Sequence, residues 1–212
     1  CSAAMQRTAS AASAHRARFG GDGARADFVP LRGWDRGATN PLIESVAPFV
    51  PEGRLRIEDI EEYALDALEF AERHLRKHGG ADPHGLSKEE IAAINLYTKE
   101  NVVNTEQSFF RVMNSAFNGK DRSKVVPFFS YLQLFVVGAR RLPNVCPAKL
   151  WRAFPNLDPK WKKLYPKGQE LFWWAFSSTT KSSDVLMEES FFGTEGERTL
   201  FTLDCVVGID IS

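Results

Sequence analysis

The reading of this 212-residue chain turns on the stretch from Leu150 to Thr180. It opens with Leu150-Trp151-Arg152-Ala153-Phe154, an apolar segment holding a single arginine. A loop rich in proline and lysine follows, and then Leu171-Phe172-Trp173-Trp174-Ala175-Phe176-Ser177-Ser178-Thr179-Thr180. Aromatic residues suit a pleated, half-buried surface. Both pieces are therefore expected to be strands, the second an aromatic strand, Leu171 to Phe176, that ends in four hydroxyl residues, with Trp173 and Trp174 as core on opposite faces. A run of Ser and Thr at a strand end has no packing purpose; its hydroxyls either bond a ligand or serve a turn and the start of a helix. Arg152 carries the matching alternatives of a ligand-binding guanidinium or a strand arginine with its head in water.

Upstream the pattern is helical. From Arg54 to Lys77, Ile57, Ile60, Ala64, Leu68, Ala71 and Leu75 repeat at three- and four-residue steps and form one apolar stripe. Glu58, Asp59, Glu61 and Glu62 crowd its first turns and Arg73, Arg76 and Lys77 its last, an order that suits the helix dipole. The acids read as a solvated helix face, not as a cation site. Gly79-Gly80 supplies the stop. Ser87-Lys88-Glu89-Glu90 has the spacing of a capping box and opens a helix burying Ile91, Ile94 and Tyr97. Asn104 to Asn118 reads as a further helix with Phe109, Phe110, Met113 and Phe117 inward and Gly119 at its end. Pro127 is expected in the first turn of the next, which buries Phe128, Phe129, Leu132, Phe135, Val136 and Ala139 and ends at Pro143.

Beyond Pro143 the period changes. Thr199 to Val207 alternates Phe201, Leu203 and Cys205 with Leu200, Thr202 and Asp204, as a half-buried strand does. Ser183-Asp184 reads as the cap of a short helix through Val185, Leu186 and Phe191, closed by Gly193. Helices first and strands second is an α+β order, not an alternating one. Neither a Gly-x-Gly-x-x-Gly nor a Walker A loop occurs.

The first 27 residues are rich in Ala, Ser, Arg and Gly, with Asp22 and Asp27 as their acids. They lack the apolar residues that offset chain ordering, so disorder is the default. The same composition fits an organellar targeting segment, the minority alternative. Residues 28–51, with Pro30, Pro41, Pro48 and Pro51, read as an irregular extended wrap docked by Trp34, Leu42, Ile43 and Phe49. The organisation expected is thus a disordered or irregular extension over 1–53 and a domain over 54–212, helical at 54–143 and β-rich at 144–212.

Lys and Arg number 27, as do Asp and Glu, so no general charge attracts nucleic acid or an anionic membrane, and neither is expected as a partner. The longest apolar stretch, Val125 to Val137, is interrupted by Pro127, Ser130, Tyr131 and Gln133 and reads as a buried helix, too short and polar to span a bilayer. Cys1, Cys146 and Cys205 are odd in number and widely spaced, neither a disulfide framework nor a metal site. Cys146 and Cys205 are expected as small core residues, His15, His74, His78 and His84 as surface residues, and no metal is expected. The odd cysteine count, with no signal-peptide pattern, leans toward an intracellular setting.

Taken together, these blocks resemble the arginine-type mono-ADP-ribosyltransferases, which carry an Arg, a Ser-Thr-Ser strand and a Glu-x-Glu. Trp151-Arg152-Ala153 and Trp173-Trp174-Ala175-Phe176-Ser177-Ser178-Thr179-Thr180 match, with Ala for the usual Gly at 153 and 175. Glu89 to Thr98, Phe129 to Phe135, Arg141-Leu142-Pro143, Phe192-Gly193 and Glu197 to Leu203 resemble further family segments in the right order. The likeness covers about residues 87 to 212. It implies a helical part followed by a mostly antiparallel two-sheet β core, NAD as co-substrate, and transfer of ADP-ribose to arginine on an acceptor protein with release of nicotinamide. It further implies that Arg152 holds the diphosphate and that Ser178 bonds the ribose region and helps position the carboxylate. Thr179 and Thr180 complete the motif, Ala153 stands where a glycine backbone usually meets the nicotinamide amide, and Phe191 or Phe192 is a candidate to stack on the nicotinamide ring. The Glu-x-Glu pair is expected after Ser212. Two alternatives stay open. One is an NAD-glycohydrolase on the same fold. The other is a degenerate binding or structural module, motivated by Ala153, Ala175 and a carboxylate pair that lies outside the sequence.

Overall fold

The computed structural model describes residues 2–4, 33–34, 38–50, 56–101, 104, 107–119, 121–155, 165–168, 173, 175–186 and 198–211. Helices occupy the first part and most strands the second, so the chain is α+β. It divides into two compact units, Leu31–Leu142 and Cys1–Pro30 with Pro143–Ser212.

The helical unit contains α1 (Leu42–Val46), α2 (Ile60–Lys77), α3 (Lys88–Thr98), α4 (Phe109–Asn118) and α5 (Phe129–Arg141). Leu42 and Phe49 are fully buried, as docking residues should be, but the segment is not extended: it is helical through α1 and a 3₁₀ turn over Ala47–Phe49. Ile43, expected to dock, is exposed. Polar contacts fix this segment. The Leu42 N–H donates to Glu89 Oε2 at 2.6 Å, and the buried Ser45 hydroxyl lies 2.8 Å from that of Ser130.

Helix α2 starts at Ile60, later than its apolar stripe suggests, because Asp59 sits in the left-handed region with a φ of 59° and breaks the helical repeat. Ile57 is nonetheless buried, its N–H bonded to the Phe49 carbonyl at 2.8 Å. Helix α4 starts at Phe109 instead of Asn104 for a related reason. Asn101 N–H donates to Ser108 Oγ at 2.9 Å and Asn104 N–H to Asn101 Oδ1 at 2.8 Å, so side chains capture the backbone before a helix can. Pro127 lies in a 3₁₀ helix, Arg122–Phe128, ahead of α5 and not within its first turn. The core is aromatic. Phe49, Phe109, Phe128 and Tyr131 meet at centroid separations of 4.4–5.8 Å, mostly tilted or edge-on, the arrangement that ring quadrupoles favour. The Tyr131 hydroxyl, fully buried, donates to the Ala93 carbonyl at 2.8 Å, and burial pushes its pKa well above the ordinary tyrosine range.

The capping box at Ser87 forms as spaced: Ser87 Oγ accepts from Glu90 N–H and Glu90 Oε2 from Ser87 N–H. The same Glu90 oxygen receives Arg141 Nη1 at 2.7 Å, so one buried carboxylate both caps α3 and ties it to the end of α5. The two helices meet closely there. A Cβ added at Gly138 would stand 3.0 Å from Glu90 Cβ and 3.3 Å from Ile94 Cδ1.

The strand unit holds two small sheets. In one, β2 (Ala148–Pro155) and β4 (Arg198–Cys205) pair antiparallel, with Leu150 opposite Leu203 and Arg152 opposite Phe201. In the other, β1 (Ser2–Ala4) lies between β3 (Ser177–Thr179) and β5 (Ile209–Asp210), again antiparallel. A four-residue helix, α6 (Ser183–Leu186), follows β3. Along β4, Phe201, Leu203 and Cys205 are half-buried and Leu200, Thr202 and Asp204 exposed, the alternation read from the sequence. The aromatic strand expected over Leu171 to Phe176 is not found at its described residues: Trp173, Ala175 and Phe176 are outside any strand, and the strand runs through the hydroxyl residues themselves. The backbone of Ser177–Thr179 finds a ladder partner in β1, and β-branched Thr suits the pleat, so the polar run takes the extended conformation. Cys146 and Cys205 are half-buried, not core. No described helix is long and apolar enough to cross a membrane.

Two outcomes follow for the helical unit. Gly138→Ala is expected to lower unfolding free energy in urea by about 1–3 kcal/mol, because Glu90 Cβ belongs to a packed helix and has little room to yield. Asp82 governs a pH effect. Its carboxylate, 3% exposed, accepts from His74 Nε2 at 2.9 Å and from the backbone N–H groups of His84 and Leu86. Burial raises its pKa, but those hydrogen bonds outweigh it and the net shift is downward. A carboxyl depressed in the folded state contributes stability above its unfolded pKa of about 3.9 and loses it as pH falls further. Asp82→Asn is expected to cost about 1–2 kcal/mol in urea unfolding at neutral pH. It should also flatten the loss that wild type shows below about pH 4.

Candidate functional site

The arginine strand and the hydroxyl run come together in the strand unit. Trp151 N–H donates to the Thr180 carbonyl at 2.9 Å, and Thr180 N–H donates to the Trp151 carbonyl at 2.9 Å. That reciprocal pair sets the hydroxyl run along the edge of β2 opposite to β4. Arg152 Nη1 then donates to the Ser178 carbonyl at 3.3 Å. The guanidinium thus reaches the backbone of the residue expected to share its ligand, not its hydroxyl.

The hydroxyls do not form a single row. Side chains alternate along a strand, and here Ser178 is exposed, Thr179 buried and Thr180 half-buried. Thr180 Oγ1 accepts from Ser182 N–H at 3.2 Å, and Ser182 Oγ accepts from Asp184 N–H at 3.2 Å. The Thr180 hydroxyl therefore serves the turn into α6, and Ser182, one residue earlier than the expected Ser183-Asp184 cap, caps that helix. Lys181 is tied to Asp210 at 2.8 Å. Ser178 is the member of the run whose side chain faces outward.

Ala153 is half-buried in β2, and neither Ala153 nor Ala175 carries a positive φ; among the described non-glycine residues that belongs to Asp59. Replacing a glycine at these two places requires no conformation that alanine resists. Phe191 and Phe192 lie outside the described residues.

Sequence reasoning missed the support of the guanidinium. Trp173, expected as core, has its ring 5.7 Å from Arg152 Cζ, within cation–π range. Its indole N–H donates to the Tyr165 hydroxyl at 3.2 Å. Tyr165 and Trp173 both pack on Phe201, with centroids 4.8 and 5.9 Å away, and Phe201 is the residue opposite Arg152 in the β2–β4 ladder. Burial pushes the Tyr165 phenol up to about 12, against the opposing pull of the Trp173 N–H and the Arg152 charge, so it remains a neutral group. The signal available in the sequence was the period-two placement of Phe201 on β4. Tyr165 and Trp173 flank the loop and the hydroxyl run, and no local periodicity marks them.

Chemically, the arrangement offers a permanent cation with one face supported by an indole and its N–H edge directed at the hydroxyl strand. A fork of donors of this kind suits phosphate or carboxylate oxygens. Among the described residues no group of three His, Cys, Asp or Glu could hold a metal ion. No protein-family model, no curated protein and no solved structure matches the chain.

The contact between Arg152 and Trp173 can be measured. A double-mutant cycle of Arg152→Ala and Trp173→Ala, followed by urea unfolding, is expected to return a coupling of about 0.5–1 kcal/mol, the size of a partly exposed cation–π contact.

Proposed function

We propose that this protein is an NAD-dependent mono-ADP-ribosyltransferase that modifies arginine on an acceptor protein, with a two-sheet core of the ADP-ribosyltransferase type. The observation that supports the reading is the one long-range pairing its motif needs. Arg152 and Ser178, separated by 26 positions, lie together, the guanidinium bonded to the Ser178 carbonyl.

NAD supplies ADP-ribose through its glycosidic bond to nicotinamide. In this reading Arg152, half-buried and backed by Trp173, holds the diphosphate. Its charge persists at every working pH. Ser178, exposed beside it, donates to the ribose region and orients a carboxylate expected after Ser212. That carboxylate stabilises positive charge as it builds on the sugar. Nicotinamide leaves with the bonding electron pair, the acceptor guanidine nitrogen bonds the same carbon, and it gives up one proton. Ala153 follows the arginine in the same strand without a positive φ.

Calorimetric titration with NAD tests the reading on residues present here. The chain is expected to bind NAD, and Arg152→Ala is expected to weaken binding by roughly 10- to 100-fold, the worth of charge-assisted hydrogen bonds to phosphate. Absence of NAD binding would sink the proposal. Label transfer from NAD to an arginine-rich protein, in a chain carrying the carboxylate pair, separates transfer from simple hydrolysis, in which nicotinamide is released without labelled acceptor.

A further inference from the structure

The far end of the β2–β4 ladder places two thiols together. Cys205 ends β4 and stands opposite Ala148, and the same antiparallel alignment resumes at Asn144 opposite Ile209. Cys146 lies between these two pairings, two positions before Ala148, and so runs alongside the segment that follows Cys205. Several bonds hold it there. Asn144 Oδ1 accepts from Cys146 N–H at 3.2 Å and from Gly208 N–H at 2.9 Å, and Val145 N–H donates to the Gly208 carbonyl at 2.9 Å. One asparagine thereby binds the Cys146 segment to the turn just after Cys205. The Cys146 thiol lies close enough to act on that of Cys205, and the Cys205 S–H donates to the Val207 carbonyl at 3.1 Å. Both cysteines are partly exposed. Cys205 lines an open groove of about 310 Å³ with Pro147, Ala148, Lys149, Asp204 and Val206, so a small molecule can reach its end of the ladder.

We infer that Cys146 and Cys205 are a thiol-oxidation site, which a small-molecule disulfide such as oxidised glutathione converts into an intramolecular disulfide. The order of attack follows from the surroundings. Burial and the neighbouring Cys146 push the Cys205 thiol up to about 11, so it keeps its proton and is the poorer initial nucleophile. Cys146 attacks first. Its sulfur bonds one sulfur of the glutathione disulfide, the S–S bond breaks, and one glutathione thiolate leaves and takes up the proton Cys146 lost. Cys205 then gives up its proton and attacks Cys146 Sγ in the mixed disulfide, and the second glutathione leaves as a thiol. Two protein thiols and one glutathione disulfide become one protein disulfide and two glutathione thiols. The link anchors the end of a ladder whose same face, through Leu150 and Leu203, leads to Arg152 and Phe201.

The test is oxidation of the intact native chain with glutathione disulfide, alkylation of the remaining thiols, and non-reducing peptide mapping. The expected result is one linked peptide pair joining Cys146 to Cys205, with Cys1 alkylated or glutathionylated by itself. Cys205→Ser should accumulate glutathione on Cys146, and Cys146→Ser should leave Cys205 at least about tenfold less modified. Two alkylated thiols at 146 and 205 after oxidation, or a link from either to Cys1, would overturn the inference. Glutathione accumulating on Cys205 in preference to Cys146 would overturn the order of attack. None of these readouts involves NAD, so the inference stands or falls apart from the proposed activity.

Discussion

Two backbone hydrogen bonds between Trp151 and Thr180 are the constraint on which the candidate site rests. Strand β2 is already satisfied on one edge by β4, and its other edge has N–H and C=O groups in need of partners. The end of the hydroxyl run meets that need at one point, and one point is enough to fix position. With Thr180 fastened to Trp151, Ser178 falls within reach of Arg152, and the side chains alternate as the pleat dictates. The turn that follows is locked in sequence, Thr180 to Ser182 and Ser182 to Asp184, so the strand cannot slide without breaking several bonds together.

The second determinant is how a guanidinium is held half out of water. An arginine on a strand has four rotatable bonds, and water alone would leave it mobile. Here the indole of Trp173 lies within cation–π range of it, the Ser178 carbonyl accepts from one edge, and Tyr165 fixes the indole in turn. Phe201 backs both rings from the neighbouring strand. Support of this kind removes conformational entropy before any ligand arrives, so less is lost on binding.

In the helical unit the decisive contacts are polar groups set into an apolar aromatic core. Glu90 serves the Ser87 cap and Arg141 with one carboxylate, Tyr131 reaches the Ala93 carbonyl, and Asp82 gathers His74 with two backbone amides. Each is buried or nearly so, and each has its hydrogen bonds made. Leaving any one unmade would cost more than the bond itself is worth, because the partner would stay buried and unsolvated. Such groups specify one arrangement of helices where the interchangeable Phe, Leu and Ile side chains around them would tolerate several.

The α+β order, the capping box at Ser87, the stripe of α2, the core face of α5 and the alternation on β4 were legible in the residues alone. Each depends on neighbours a few positions apart, and the periods of helix and strand are properties of the local backbone. Helix starts were legible only in part, because Asp59 turned left-handed and Asn101 with Ser108 captured the backbone, outcomes set by side chains competing for the same N–H groups. At the site, the sequence by itself marked Arg152 and the hydroxyl run as chemically unusual. It could not show that Thr180 spends its hydroxyl on a turn, that Thr179 is buried, that Trp173 and Tyr165 support the guanidinium, or that Cys146 meets Cys205. Those contacts join residues separated by a loop or by most of the strand unit, and only the tertiary structure decides which of many competing side chains lies across the gap.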